Sequence, residues 1–129
     1  LRLFLEIRGL QDEQGLSCLL LTRSIELAGA LSDQILVLHG GQIVESGATA
    51  SLLSHPQHPY THSLLNPKEA AGASPRESLD ATEAPRPGCA FRARCPQAFA
   101  RCAAEAPTLF AVPGGLSRCF LRDPEASGT

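Results

Sequence analysis

The sequence predicts an α/β chain: a βαβ unit with an added hairpin, followed by a small irregular appendage holding four cysteines. Three observations carry that expectation. The apolar run "LSCLLLT" (16–22) precedes a cappable helical stretch and a second apolar run, which is the order of a βαβ unit. "QILVLHGGQIVESG" places Gly40-Gly41 between two strand-like runs, a hairpin signal. Beyond a segment without apolar periodicity, the thiols recur as Cys89-x5-Cys95-x6-Cys102-x16-Cys119.

The elements follow in order. Leu3, Phe4, Ile7 and Leu10 recur at helical spacing and predict a helix over 1–13, stopped by Gly15. Residues 16–22 are too short and too apolar for a surface helix and predict a strand buried on both faces, as in parallel sheets, with Cys18 a small core hydrophobe. Ser24 can cap a helix through 25–32 whose Ile25, Ala28 and Leu31 share a face, and Glu26 suits the positive end of that helix. Strands follow over 34–39 and 42–45, with His39 a solvated strand-end residue, and "ATASLLS" (48–54) predicts a short helix. His55, His58 and His62 invite a metal reading, but Pro56 and Pro59 interrupt any regular helix that would align them. Residues 66–87, rich in Ala, Pro, Ser and Glu, have the composition of a linker.

Composition bounds the function. At 129 residues, 43% hydrophobic and 19% charged, the chain can bury one modest core. A net charge of −2 excludes a chain-wide basic surface for nucleic acid. No apolar stretch approaches the roughly 20 residues of a membrane-spanning helix, so the chain reads as soluble. Leu1 already stands in a helical pattern and no signal peptide opens the sequence, so the chain is expected to begin mid-protein. Without secretory evidence, four clustered thiols point to metal ligands ahead of disulfides.

Thiolates bind soft metals, and the chain lacks the Cys-x2-Cys pairs of zinc ribbons. The wide spacings suit an iron–sulfur cluster, with zinc, no metal, or disulfides as the alternatives. Charge adds an independent argument. Between residues 86 and 122, six arginines (86, 92, 94, 101, 118 and 122) stand against Glu105 alone, a local net charge of +5. Four thiolates around [4Fe–4S]2+ or Zn2+ make a dianion, which guanidinium groups would stabilise while lowering the thiol pKa values. Phe91 and Phe99 interleave with those arginines, either as stacking residues of a nucleic-acid patch or as a miniature core around the metal. The second of these is preferred.

Strand "LSCLLLT", helix "SIELAGALSD", "QILVLHGGQIVESG" and then "HPQHPYTHSLL" resemble the C-terminal part of the ATP-binding subunit of ABC transporters in the oligopeptide, dipeptide and nickel importer family. Pro56, His58, Pro59, Tyr60 and Thr61 match that family's P-x-H-P-Y-T stretch, and "GCAFRARCP" through Cys119 matches its four-cysteine region. The resemblance implies a division into the C-terminal part of a P-loop ATPase core (1–54), the HPYT motif (55–65), a linker (66–87), the four-cysteine appendage (88–122) and a disordered tail (123–129). It makes 56–65 a packing motif, with Pro59 opening a short helix and Tyr60 and Leu64 buried. It implies ATP and Mg2+ in the complete subunit, a second ATP-binding subunit and membrane permease subunits as partners, and a place on the cytoplasmic face of the bacterial inner membrane. No nucleic acid is expected. Some members carry a [4Fe–4S] cluster on this region, which assigns Cys89, Cys95, Cys102 and Cys119 as ligands, with zinc as the alternative.

The phosphate-binding G-x-x-x-x-G-K-[ST] loop, the signature motif and the paired Asp-Glu are absent from these 129 residues, so no catalytic residue is assigned. One position departs from the family. Where it places a phosphate-contacting His after the strand, the sequence "LTRS" has Arg23. A guanidinium is permanently cationic and only donates, so Arg23 could hold a phosphate without reproducing every role of an imidazole; it could equally be an exposed residue of a degenerate copy. The other reading from a different class is a stand-alone four-cysteine metal module, carrying electrons or gripping nucleic acid.

Overall fold

The computed structural model describes residues 2–70 and 87–125. Helix α1 (Arg2–Gln14) ends where the Gly15 N–H donates to the Gln11 carbonyl at 2.9 Å. Of its expected apolar stripe, Phe4 and Ile7 are half-buried while Leu3 and Leu10 are exposed. Helix α2 (Ile25–Leu31) starts as its sequence suggests: the Ser24 hydroxyl accepts from the Leu27 N–H at 3.1 Å and donates to the Glu26 carboxylate at 2.8 Å. Those hydrogen bonds, that of the Glu26 backbone foremost, hold the Glu26 carboxyl below its ordinary pKa.

Strands β1 (Gln34–His39) and β2 (Gln42–Ala48) form the expected hairpin, with Gly40 and Gly41 at φ 56° and 75°. Two consecutive residues at positive φ are what a two-residue turn needs to match strand twist, and only glycine adopts them without strain. The register slips between Val37 and Leu38, because Val37 faces Glu45 while Leu38 faces Ile43. Val44 is therefore the extra residue of a β-bulge. The bulge breaks strict alternation, and both Val44 and Glu45 are buried on the hairpin's inner side. Ile35, Val37 and Val44 meet Leu52 of α3 (Thr49–Ser54) as the core, with Ile25 and Ala28 of α2 and Tyr60 and Leu64 of α4 (Pro59–Leu65) packed around it. Each of the four buried aliphatic side chains contributes about 1.5–3 kcal/mol by leaving water. Gly29 lets α2 lie close to α3, since a Cβ there would stand 2.7 Å from the Leu53 side chain.

Two expectations are corrected. Residues 16–22 form no strand: the segment is without regular structure, with Leu19 92% and Leu21 88% exposed and Cys18 exposed as well. A strand is made by its neighbours' hydrogen bonds, and no strand among the described residues lies beside it. Among the described residues the βαβ unit and its parallel sheet are accordingly not formed. The sheet is instead antiparallel throughout, in the order β1-β2-β4-β3.

The second correction concerns the cysteine segment, which is less irregular than expected. After the short helix α5 (Pro67–Ala70), the described chain resumes at residue 87 with a run of turns and helix α6 (Ala100–Ala104). It then supplies β3 (Phe110–Val112) and β4 (Gly115–Ser117), and β4 pairs with β2. Ser117, opposite Glu45, is fully buried there. A 3-10 turn, Phe120–Arg122, is the last regular element of the described residues. Most of the 66–87 stretch and residues 126–129 of the tail lie outside the described residues.

Candidate functional site

The site is built on the entry to α4. Glu45, 2% exposed, turns its carboxylate to two consecutive backbone donors: the Gln57 N–H at 2.7 Å and the His58 N–H at 2.8 Å. A buried carboxylate is tolerable only when so paired, and each charge-assisted bond contributes about 1.5–3 kcal/mol. The pairing fixes the loop ahead of Pro59, which opens α4 at its first turn as expected. His58 is the N-cap: its Nδ1 accepts from the Tyr60 N–H at 3.0 Å. That acceptor role places the ring hydrogen on Nε2. His58 is 1% exposed, and its Nε2 makes no hydrogen bond of good geometry, the Arg118 carbonyl being the acceptor beside the ring. Burial chiefly, with nearby His39 adding to it and the Arg118 carbonyl opposing, lowers its pKa to about 4.

Phe91 joins the cysteine segment to this core. It is 3% exposed, with ring centroids 5.3 Å from Tyr60, 5.4 Å from His39 and 6.0 Å from His58. His39 is therefore not a solvated strand-end residue. It is half-buried, 4.3 Å from the Tyr60 ring, with its Nε2 buried and unpartnered, and burial lowers its pKa. Phe120 is the second anchor, with Arg101 4.2 Å above its ring and Phe99 and Phe110 at 6.3 and 6.4 Å. The two phenylalanines of the expected miniature core thus part ways, since Phe91 is buried and Phe99 is exposed.

Between these anchors lies a cleft whose walls include Cys89, Cys95, Cys102 and Cys119 together with His58, Phe91 and Phe120. It holds roughly 310 Å3 of empty space, part of it open to solvent. Local backbone geometry brings the thiols there. The Cys89 N–H donates to the Cys102 carbonyl at 2.8 Å, and a Cβ on Gly88 (φ 96°) would collide with the carbonyls of Cys102 and Ala103. Successive tight turns carry the chain from Cys89 past Cys95, where the Arg92, Arg94, Cys95 and Ala98 N–H groups each donate three residues back. Cys102 lies on α6, and Cys119 immediately precedes the 3-10 turn.

Burial raises the pKa of the Cys89 and Cys95 thiols and pushes Cys119 up to about 11. Opposing it are backbone N–H groups two residues past each thiol: Phe91 at Cys89, Gln97 at Cys95 and Leu121 at Cys119. N–H groups aimed at sulfur favour the thiolate. Arg92 does favour the Cys89 thiolate as expected, but burial outweighs it. Among the described arginines only Arg92 lines the cleft. Arg101 binds Asp123 at 2.8 Å and Glu105 at 3.2 Å, Arg118 donates to the Ile43 and Pro107 carbonyls, and Arg122 to the Gln57 carbonyl. These three arginines brace the fold, and Arg86 lies outside the described residues.

All five cysteines are free, and the four predicted together face one cleft while Cys18 stands apart. Among the described residues no three His, Cys, Asp or Glu side chains are close enough to grip a single ion. Arg23 is exposed at the bend before α2 and does not line the cleft. His55, hydrogen-bonded to Ser54, and exposed His62 do not join His58 there. Sequence reasoning missed Glu45 altogether and, for His58, the burial and capping role. A carboxylate inside an apolar strand was the available signal for the first, and a His immediately before Pro59 for the second.

Residues 44–102 match the family model described as the C-terminal region of the oligopeptide/dipeptide transporter. That family region spans the β-bulge, the His58-Pro59-Tyr60 entry to α4 and the first three cysteines of the cleft; Cys119 lies beyond it. The chain is 33% identical over 124 residues to a Brucella ovis protein named as a peptide import ATP-binding protein, covering 91% of this chain and 39% of that one. It is 37% identical over 120 residues to a Brucella abortus protein named likewise, with 89% and 36% covered. With the dipeptide transport ATP-binding protein DppF of Escherichia coli K12 it shares 32% identity over 123 residues, 90% of this chain and 37% of DppF. The chain spans less than two fifths of the length of these curated relatives. No helix among the described residues is long and apolar enough to cross a membrane.

Proposed function

We propose that this chain is the C-terminal part of an ATP-binding subunit that powers import of peptides, dipeptides or nickel, and that its four-cysteine cleft holds a [4Fe–4S] cluster. The likeness of about nine tenths of the chain to peptide-import ATP-binding proteins supports the first part. In the complete subunit ATP and Mg2+ would be held mainly by motifs absent from these residues. Its partners would be a second such subunit and membrane permease subunits, on the cytoplasmic face of the inner membrane. Arg23, where the family has a His, would contact the terminal phosphate and slow turnover without abolishing nucleotide binding.

The observation that carries the second part is the convergence of four cysteines, widely spaced in sequence, on one cleft with backbone N–H groups facing three of the sulfurs. Cys89, Cys95, Cys102 and Cys119 would be the ligands, and a bound cluster would supply redox chemistry and a cross-link between turns, α6 and the end of β4. A four-iron cluster spreads its ligands over four corners, whereas a tetrahedral zinc draws four sulfurs to within about 2.3 Å of one centre. The cleft would also be a folding staple, because the segment around it has few large apolar side chains.

The test is anaerobic purification. The chain should be brown, with iron and sulfide in cluster proportions; serine at any one of the four positions should bleach it, and Cys18→Ser should not. Colourless protein with one tightly held zinc discards the iron, and four freely reactive thiols in a folded chain discard both metals.

A further inference from the structure

Of the four cleft thiols, Cys89 and Cys102 are joined through their own backbones. The Cys89 N–H donates to the Cys102 carbonyl at 2.8 Å, although Cys95 lies between them in sequence. Gly88, at φ 96°, admits this approach, because a Cβ there would collide with the Cys102 carbonyl oxygen. Backbone hydrogen-bonded neighbours in a sheet stand about 5.5 Å apart at Cα, and a disulfide spans roughly 4.4–6.8 Å. Both side chains face the same cleft. Burial chiefly raises the Cys89 pKa, and the Cys102 thiol adds to it through space, so the two sulfurs lie within electrostatic reach. The other two thiols are held differently. The Cys95 N–H turns to the Arg92 carbonyl and its carbonyl accepts from Ala98, while the Cys119 carbonyl accepts from Arg122.

We propose that Cys89 and Cys102 form a reversible oxidation site: in the metal-free chain, glutathione disulfide converts them to an intrachain disulfide and leaves Cys95 and Cys119 as thiols. Cys89 is the attacking sulfur, being half-buried where Cys102 is buried. Its thiolate displaces one glutathione thiolate and forms a mixed disulfide. The Cys102 thiolate then attacks the Cys89 sulfur, breaks the mixed disulfide and releases the second glutathione. The two cysteine protons end on the two glutathione thiols, and glutathione disulfide takes the two electrons. This site goes beyond the cluster reading and does not rest on it. The two compete, since the disulfide withdraws two of the four ligands that a cluster would need.

The full chain, stripped of metal by a chelator and reduced, is equilibrated with reduced and oxidised glutathione, alkylated and mapped by peptide mass spectrometry, once folded and once in urea. Folded, the Cys89–Cys102 link should exceed every other pair by about tenfold or more, with Cys95 and Cys119 recovered alkylated. In urea the shorter Cys89–Cys95 and Cys95–Cys102 loops should take over, because closure entropy grows with loop length. A folded chain whose main product is another pair, or a glutathione adduct without an internal bond, overturns the inference. So does one product distribution common to the folded and urea-treated chains. No metal is present, so the result is independent of whether the reduced cleft takes up iron and sulfide.

Discussion

Residues 2–22 and residues 34–65 are similarly apolar in sequence, yet only the second stretch is packed. The hairpin, α3 and α4 close a core around Ile35, Val37, Val44 and Leu52, and the cysteine segment extends the same sheet from the other side. The first stretch has one well-formed helix and an apolar run lying in the open, with Leu19 and Leu21 almost fully exposed. The difference lies in what each stretch needs. A hairpin finds its partner strand two residues away, whereas a strand of a parallel sheet depends on neighbours distant in sequence. The described residues offer 16–22 none.

The sharpest way to break the packed half is to remove its link to the cysteine segment. Phe91→Ala deletes a ring wedged against Tyr60, His39 and His58 and should cost about 3–5 kcal/mol in urea unfolding, with the cleft thiols becoming freely reactive. A loss under about 1 kcal/mol would mean that the two segments are held together by the β2–β4 pairing alone.

Acid should loosen the same half next. Between pH 6.5 and about 4 the unfolded chain takes up a proton at position 58 that the folded chain refuses, so this contribution to stability is complete above pH 6.5 and lost as pH falls towards 4. The depressed value corresponds to up to about 3 kcal/mol, and His39, lowered for the same reason, acts in the same direction. Urea midpoints of the metal-free chain should therefore drop across this window, and less steeply in His58→Asn. A variant with the wild-type slope would place the acid sensitivity elsewhere.

The smallest effect belongs to the open half. Leu19→Gln with Leu21→Gln should change the stability of this chain by less than about 0.5 kcal/mol, because neither side chain leaves water on folding. A larger loss would show that 16–22 is packed in solution.

The site was legible in sequence to the extent that its residues declared themselves chemically. Cys89, Cys95, Cys102 and Cys119 stood out as thiols without a disulfide or zinc-ribbon pattern, and they do face one cleft. His58 stood out only as a weighed metal ligand and a member of the P-x-H-P-Y-T packing stretch, and Glu45 did not stand out at all, because a glutamate in a strand reads as a solvated residue until its burial is known. The arginines misled for the same reason. Their number suggested a field around the thiols, but Arg101, Arg118 and Arg122 are turned to carboxylates and carbonyls of the fold.

The sequence alone determined what depends on neighbours a few residues away: the Ser24 cap, the Gly40-Gly41 turn, Pro59 at the head of α4 and the likeness its motifs carry. Tertiary structure decided the rest. Val44 and Glu45 share a buried face because a bulge breaks alternation, β4 crosses from the cysteine segment to pair with β2, and His39 loses its water to Tyr60 and Phe91. Local hydrogen bonds are fixed by residue types at fixed offsets, whereas burial depends on which distant surface arrives, and composition and periodicity do not encode that.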